Sequence, residues 1–260
     1  AGLREINAAL SAALADHEVR AILFNICSPG GQARGVKELA DAIFAARAIK
    51  PCAAWVDGLC ASAAYWLASA TGRIYAGPSS EVGSIGVILR HMDMSGFNKE
   101  MGLNFTYITA GSHKAIGNPD TALSERDLAV LQTRVNEIYE MFCSDVASHM
   151  GLALDNRLAW ADGRDFLAGE AEALGLITSL VPNREEAVRN LLKETFMDKT
   201  ELAQNCWPAL RLTQSRPRCR MPPKKPKPQS MRLWPTLWQS WKRPAARKPL
   251  IKSAPLWLQA

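Results

Sequence analysis

Chemistry gathers first around Ser62, in the run Cys60-Ala-Ser62-Ala-Ala-Tyr-Trp-Leu-Ala-Ser-Ala70. The run follows Cys52-Ala-Ala-Trp-Val56, an apolar stretch that reads as a buried strand, and then becomes Ala-rich at helical spacing. Ser62 therefore falls where a strand turns into a helix. A hydroxyl there is held at the end of a rigid element, beside the unpaired N–H groups of a helix N-terminus. That suits a nucleophile, and the small neighbours Ala61, Ala63 and Ala64 let a substrate backbone approach. The plain alternative is a helix cap, the ordinary role of serine at such a place.

Three further stretches carry chemistry. Ser28-Pro-Gly30-Gly31 ends an apolar run, and consecutive glycines there leave backbone N–H groups free to face a ligand, as an oxyanion donor requires. Read plainly, it is a β-turn. Gly83-Ser84-Ile85-Gly86 places a hydroxyl inside an apolar stretch, where it would otherwise bond a neighbouring carbonyl. Gly111-Ser-His-Lys114-Ala-Ile-Gly117-Asn-Pro119 places one lysine in a loop, 52 residues after Ser62. A lone lysine is by default a solvated surface group.

The elements that must position these residues alternate. Helices are expected at Leu3–Ala15, Val36–Ile49, Ala61–Thr71 and Met94–Met101, over a long segment from Ser124 to about Met150, at Gly169–Leu174 and from Arg184 to about Lys193. Ser124-Glu-Arg-Asp127 starts the long one in the manner of a capping box. Strands are expected at Arg20–Ile26, Cys52–Val56, Arg73–Ala76, Val82–Leu89, Asn104–Thr109 and Leu176–Val181, and Gly163–Phe166 is a further short element. Such alternation argues α/β with a mostly parallel sheet and flanking helices.

Composition divides the chain in two. The formal net charge of +6 hides 18 basic against 25 acidic residues in 1–201, a net of −7, and 13 basic residues with no acid after Glu201. Ten of 15 prolines and five of eight tryptophans also lie from residue 197 on, without sustained periodicity. Residues 1–196 are therefore expected to form the folded domain and 197–260 an unstructured basic tail. Three readings of the tail compete: a nucleic-acid or acidic-partner binder, a membrane-surface segment, or out-of-frame sequence after about Gln204. No apolar run reaches the ~18–20 residues of a membrane span, and no secretory signal opens the chain. The six cysteines show no metal spacing. Cys27, Cys52 and Cys60, in apolar runs, read as buried thiols of a reducing compartment.

Taken together and in this order, Ser28-Pro-Gly-Gly31, Ala61 to Ser69, Val82-Gly-Ser-Ile-Gly-Val87 and Ala110-Gly-Ser-His-Lys114 resemble the signal peptide peptidase A (S49) family of serine peptidases. Within it, the likeness is to the lambda-type capsid maturation proteases of tailed bacteriophages, and it covers roughly residues 18–182. The resemblance implies a Clp-protease/crotonase-like fold and a serine endopeptidase with a Ser–Lys dyad that cleaves scaffold or capsid-assembly proteins. It implies no cofactor and no metal, a homo-oligomer without a membrane, and a place in the host cytoplasm or inside the procapsid. Ser62 then matches the nucleophile, Lys114 the general base and Ser84 the residue that orients it. The amides of Gly30 and Ala63 match the oxyanion hole, with Gly31, Gly83 and Ile85 toward substrate. A serine hydroxyl needs a base. A lysine amine, with an ordinary pKa of ~10.4, serves near neutrality only when burial disfavours its charged form.

The sequence departs from the family at Ala63-Ala64, where relatives often carry Gly-Gly, and in lacking an upstream strand region before the first helix, as if truncated or processed. Other readings remain: an acyl-CoA enzyme on the same fold, an inactive relative acting in assembly, or a Ser–His–Asp triad drawing on His91, His113 or His149.

Overall fold

The computed structural model describes residues 2–193 and 250–257. In chain order the elements are α1 (Leu3–Ala15), β1 (Val19–Ser28), α2 (Val36–Ala46), β2 (Cys52–Ala61), α3 (Ala63–Ser69), β3 (Ile74–Ala76) and β4 (Glu81–Gly83). There follow α4 (Ser95–Glu100), α5 (Glu125–Met150), a 3₁₀ turn at Leu154–Ala159, β5 (Asp165–Leu167), α6 (Ala168–Ala173), β6 (Ser179–Leu180), a helix over 184–193 and β7 (Leu250–Trp257).

β2 is the central strand. It pairs in parallel with β1 along its length on one side. On the other side its first half pairs with β3, through Ala54–Val56, and its second half with β4, through Leu59–Ala61. The division falls at Asp57-Gly58, where Gly58 takes φ +90°, a conformation that glycine adopts without steric cost. β6 extends the first leaf in parallel, and β5 closes the second as its antiparallel member. The sheet is thus α/β and mostly parallel, as expected.

The sheet is covered on both faces, which is why β1 and β2 read as continuous apolar runs rather than alternating ones. Ile22, Phe24 and Ile26 of β1 pack with α1, α2, α3 and the C-terminal half of α5 in the larger core. Ala21 and Leu23 face the other way, with Trp55, Tyr75, Ala187 and Leu191. α1 and α2 bury one stripe each: Ile6, Leu10 and Ala13; Val36, Leu39, Ala40, Ile43 and Ala46. The Ser124 hydroxyl caps α5 by accepting from the Asp127 amide at 3.1 Å, and Gly151 ends it at φ +72°. No described helix is long and apolar enough to cross a membrane.

Three expectations need correction. The apolar stretch Val82–Leu89 is a strand only as far as Gly83, and Asn104–Thr109 forms no strand. Between Ser84 and Leu123 the chain holds only α4, and its apolar side chains join no strand among the described residues: Ile88 and Ile108 are each 96% exposed. The tail is not wholly unstructured either. Leu250–Trp257 lies parallel to β1, with Val19 opposite Leu250 and Cys27 opposite Trp257. Pro255, which speaks against a central strand, is tolerated at this sheet edge. Met197–Gln204, the suggested frameshift and most of the basic tail lie outside the described residues.

Candidate active site

β2 runs to Ala61 and α3 starts at Ala63, so Ser62 is the single residue between strand and helix. Its backbone takes φ 52°, ψ −126°. Among the described residues only Ser62 and Ser84 combine positive φ with a side chain. Such conformations cost about 1–3 kcal/mol each and persist where the surroundings over-determine them. Here the surroundings are a ladder. The Ser62 amide donates to the Gly83 carbonyl at 2.9 Å, and the Ser84 amide to the Arg164 carbonyl at 2.9 Å. The chain after β2 thus rests on β4, and the chain after β4 rests on the segment entering β5. This sharp strand-to-helix turn, with its serine presented at the tip, has the geometry of a nucleophile elbow.

Gly30 lies against that turn. A Cβ added to it would stand 2.7 Å from the Ser62 Cβ, 2.9 Å from the Ala61 carbonyl and 3.0 Å from the Ala63 amide, and its φ is +105°. Only glycine lets the backbone come this close. Its N–H donates to the buried Ser28 hydroxyl at 3.1 Å. Ala63 carries the first N–H of α3, which no intrahelical carbonyl can accept. Burial pushes the Cys52 thiol up to about 11 against the opposing charges of Arg47 and Arg73, and Cys60, fully buried, is pushed higher still, first by desolvation. Cys52 and Cys60 are buried thiols, as expected, whereas Cys27 is only half-buried.

A cleft of about 870 Å³ opens over Ser62. Gly31 and Ala33 line it from one side and Ser84, Ile85 and Ile88 from another. Gln132, Asn136 and Tyr139 line it from one face of α5, with Trp66 and Phe142 also in its wall. Ile85 is fully buried. Gly83 is not on the wall and acts through the carbonyl that holds Ser62. The Ser84 hydroxyl points to the Gly163 carbonyl at 3.4 Å.

Lys114 is not in this cleft. It is exposed, in a turn closed by its own amide to Gly111, and borders a second hollow formed by residues 107–110 and 114–118. The structure therefore brings together Ser62, Ser84, Gly30, Gly31, Ala63 and Ile85, and leaves Lys114 apart. The histidines are engaged elsewhere: His91 with the Asn118 carbonyl, His113 with Arg126 and Asp127, and His149 with the Ser69 hydroxyl at 3.0 Å. Among the described residues no three His, Cys, Asp or Glu side chains group as a metal would require. The polar face of α5 on the cleft was not anticipated. Its signal is the spacing of Gln132, Asn136 and Tyr139, one helical stripe.

A strained serine at a strand-to-helix turn, a glycine backbone against it and a cleft above form an arrangement suited to acyl transfer. The profile of Peptidase family S49 matches residues 45–197, and the chain belongs to this family. The head-tail preconnector protein GP5 of Enterobacteria phage P21 is 39% identical over 154 residues, 59% of this chain and 31% of that one. The capsid assembly protease C of Escherichia phage lambda is 33% identical over 192 residues, 72% of this chain and 44% of that one. MJ0651 of Methanocaldococcus jannaschii, named as a candidate protease, is 33% identical over 189 residues, 73% of this chain and 60% of that one. The chain thus spans between about a third and three fifths of the length of these relatives.

Proposed function

We propose that the chain is a serine endopeptidase with a Ser–Lys dyad on a Clp-protease/crotonase-like fold, acting on scaffold or capsid-assembly proteins during phage head maturation. The strained Ser62 against the Gly30 backbone carries the reading. The similarity to a capsid assembly protease supports the substrate class.

In this mechanism the Ser62 hydroxyl attacks the scissile carbonyl while the neutral amine of Lys114 takes its proton. The oxyanion receives the Ala63 amide. The Gly30 amide becomes the second donor by exchanging the neutral Ser28 hydroxyl for a charged acceptor, which binds the proton more strongly. The intermediate collapses and the leaving amine takes the proton from Lys114; the neutral Lys114 amine then deprotonates a water that attacks the acyl-enzyme, and returns that proton to Ser62 Oγ as the acid product leaves. Residues 85–88 follow the end of β4 without a ladder partner and border the cleft, so an extended substrate can pair there.

Lys114 must be covered to serve as base. We infer that the exposed apolar segment after Ser84 packs on a second copy of the chain, and that this contact brings Lys114 of one copy to Ser62 of its neighbour. Exposed apolar surface of this extent marks an interaction face.

A fluorophosphonate probe should label the assembled protein at Ser62 and leave Ser62→Ala unlabelled. Mass spectrometry after co-expression with capsid and scaffold proteins should show their cleavage. Labelling of another residue, or none, would overturn the reading. Mixed Ser62→Ala and Lys114→Ala chains should recover part of the activity that each lacks alone. No recovery in mixed oligomers means that the dyad forms within one chain.

A further inference from the structure

Trp66 lies one turn beyond Ser62, its amide bonded to the Ser62 carbonyl at 3.0 Å. Its indole stacks on Phe142, with ring centroids 4.6 Å apart and an interplanar angle of 9°. Both rings stand in the cleft wall, packed so closely that only 2% of Trp66 and 1% of Phe142 is exposed. An indole in such a wall has one polar atom to satisfy. The Trp66 Nε1–H donates to Asp145 Oδ2 at 2.8 Å. Asp145 Oδ1 in turn faces the Lys37 ammonium at 3.4 Å, and Lys37 also bonds Asp41 at 2.6 Å. Asp145 is three residues beyond Phe142 on α5, so the same helical face supplies the stacking partner and the hydrogen-bond acceptor.

We propose that Asp145 is a positioning residue for substrate selection: by fixing the Trp66 indole against Phe142 it sets the size of the group accepted beside Ser62. The inference rests on the peptidase reading. Asp145 touches no substrate and acts through Trp66. Lys37, on α2, holds the second carboxylate oxygen and so fixes the rotamer that presents the first. Without the acceptor the indole nitrogen is stranded in an apolar wall and the ring turns to reach water or another acceptor. The wall then loses its fixed shape, and discrimination between small and large side chains falls.

The test compares labelling rates of the full chain with two fluorophosphonates, one carrying an ethyl group and one a biphenyl group. In the parent the ethyl probe should react faster. Asp145→Leu, which keeps the branched heavy-atom skeleton and removes the acceptor, should shift the ratio toward the biphenyl probe by about fivefold or more, the scale at which a pocket resolves apolar groups. Trp66→Phe, which removes the N–H and shrinks the wall, should shift it the same way. Asp145→Asn retains an acceptor and should hold the ratio within about twofold of the parent. A merely structural role would lower thermal stability in Asp145→Leu and leave the ratio alone. If Asp145→Leu does not fold, Asp145→Ala, which also removes the acceptor and leaves both rings in place, decides. A labelled parent with the same ratio in the folded variants overturns this inference alone; a parent that neither probe labels overturns the peptidase reading and the inference with it.

Discussion

Replacing Gly30 by alanine puts a methyl group where the structure has Ser62. The new Cβ would meet the Ser62 Cβ at 2.7 Å, the Ala61 carbonyl at 2.9 Å and the Ala63 amide at 3.0 Å. None of these is the end of a flexible side chain, so either the Ser28–Gly31 turn or the nucleophile must move. The φ of +105° adds strain of about 1–3 kcal/mol for any residue but glycine. At about 2–4 °C per kcal/mol for a protein of this size, the melting temperature should fall by roughly 2–12 °C. Activity should fall much further. Either response separates the two proposed oxyanion donors, and loss of one donor costs about a hundred- to a thousandfold in turnover. Gly31→Ala is the stability control: nothing lies within 4 Å of its Cβ, and it should melt close to the parent. Peptide cleavage and fluorophosphonate labelling measure the chemistry, and scanning calorimetry the fold. Gly30→Ala turnover within about threefold of the parent would refute the placement of Gly30 at the reacting carbonyl.

Ser62→Gly should abolish cleavage and yet match or exceed the parent's melting temperature, because glycine relieves the strain at φ 52°, ψ −126°; a clear loss of stability would mean that the serine is not strained. Lys114→Arg should be as inactive as Lys114→Ala, since guanidinium does not give up a proton; an active Arg variant excludes the lysine base. Ser84→Ala should lose about ten- to a hundredfold in rate, the worth of one orienting hydrogen bond, and a loss as complete as that of Ser62→Ala would give it a larger role. Burial holds His149 below its ordinary value of 6.5, although the nearby Asp145 opposes this. The unfolded chain therefore takes up this proton at a higher pH than the folded one. The stabilising contribution is full above pH 6.5 and declines as pH falls from there toward the folded value. Denaturation midpoints of His149→Phe should lose this part of the pH dependence; an unchanged profile would show that another group sets it.

The sequence is most legible where the sheet is double-faced. Continuous apolar runs located β1 and β2, and the break in character at Ser62 located the elbow, because burial on both faces leaves no alternation to misread. It is least legible after Ser84. Val87-Ile88-Leu89 and Phe105-Thr-Tyr-Ile108 have strand composition, and composition alone does not tell whether a neighbouring strand exists to accept the ladder. Among the described residues none does, and the apolar groups face outward. The length of β2 was also hidden. The expected strand stops at Val56, but β2 runs on to Ala61, with Gly58 at φ +90° between its two leaves. The tail's Leu250–Trp257 was masked by Lys252 and Pro255, residues that an edge strand tolerates.

The two halves of the proposed dyad are built by different physical means. Ser62 and Ser84 sit at the ends of β2 and β4, each with its amide tied to the next segment of the sheet, so the packing of the whole domain holds their strained conformations. Lys114 sits in a segment of short turns with one six-residue helix and little buried apolar surface. Stability in such a segment is local and low, whereas the elbow shares the stability of the core. A nucleophile has to be rigid before substrate arrives, because the cost of straining it is met by folding. A lysine base has to be desolvated, and desolvation comes from whatever covers it. With the proposed base on an apolar surface that a second copy covers, proton abstraction would be conditional on assembly. The unassembled chain would then carry the proposed nucleophile and no base.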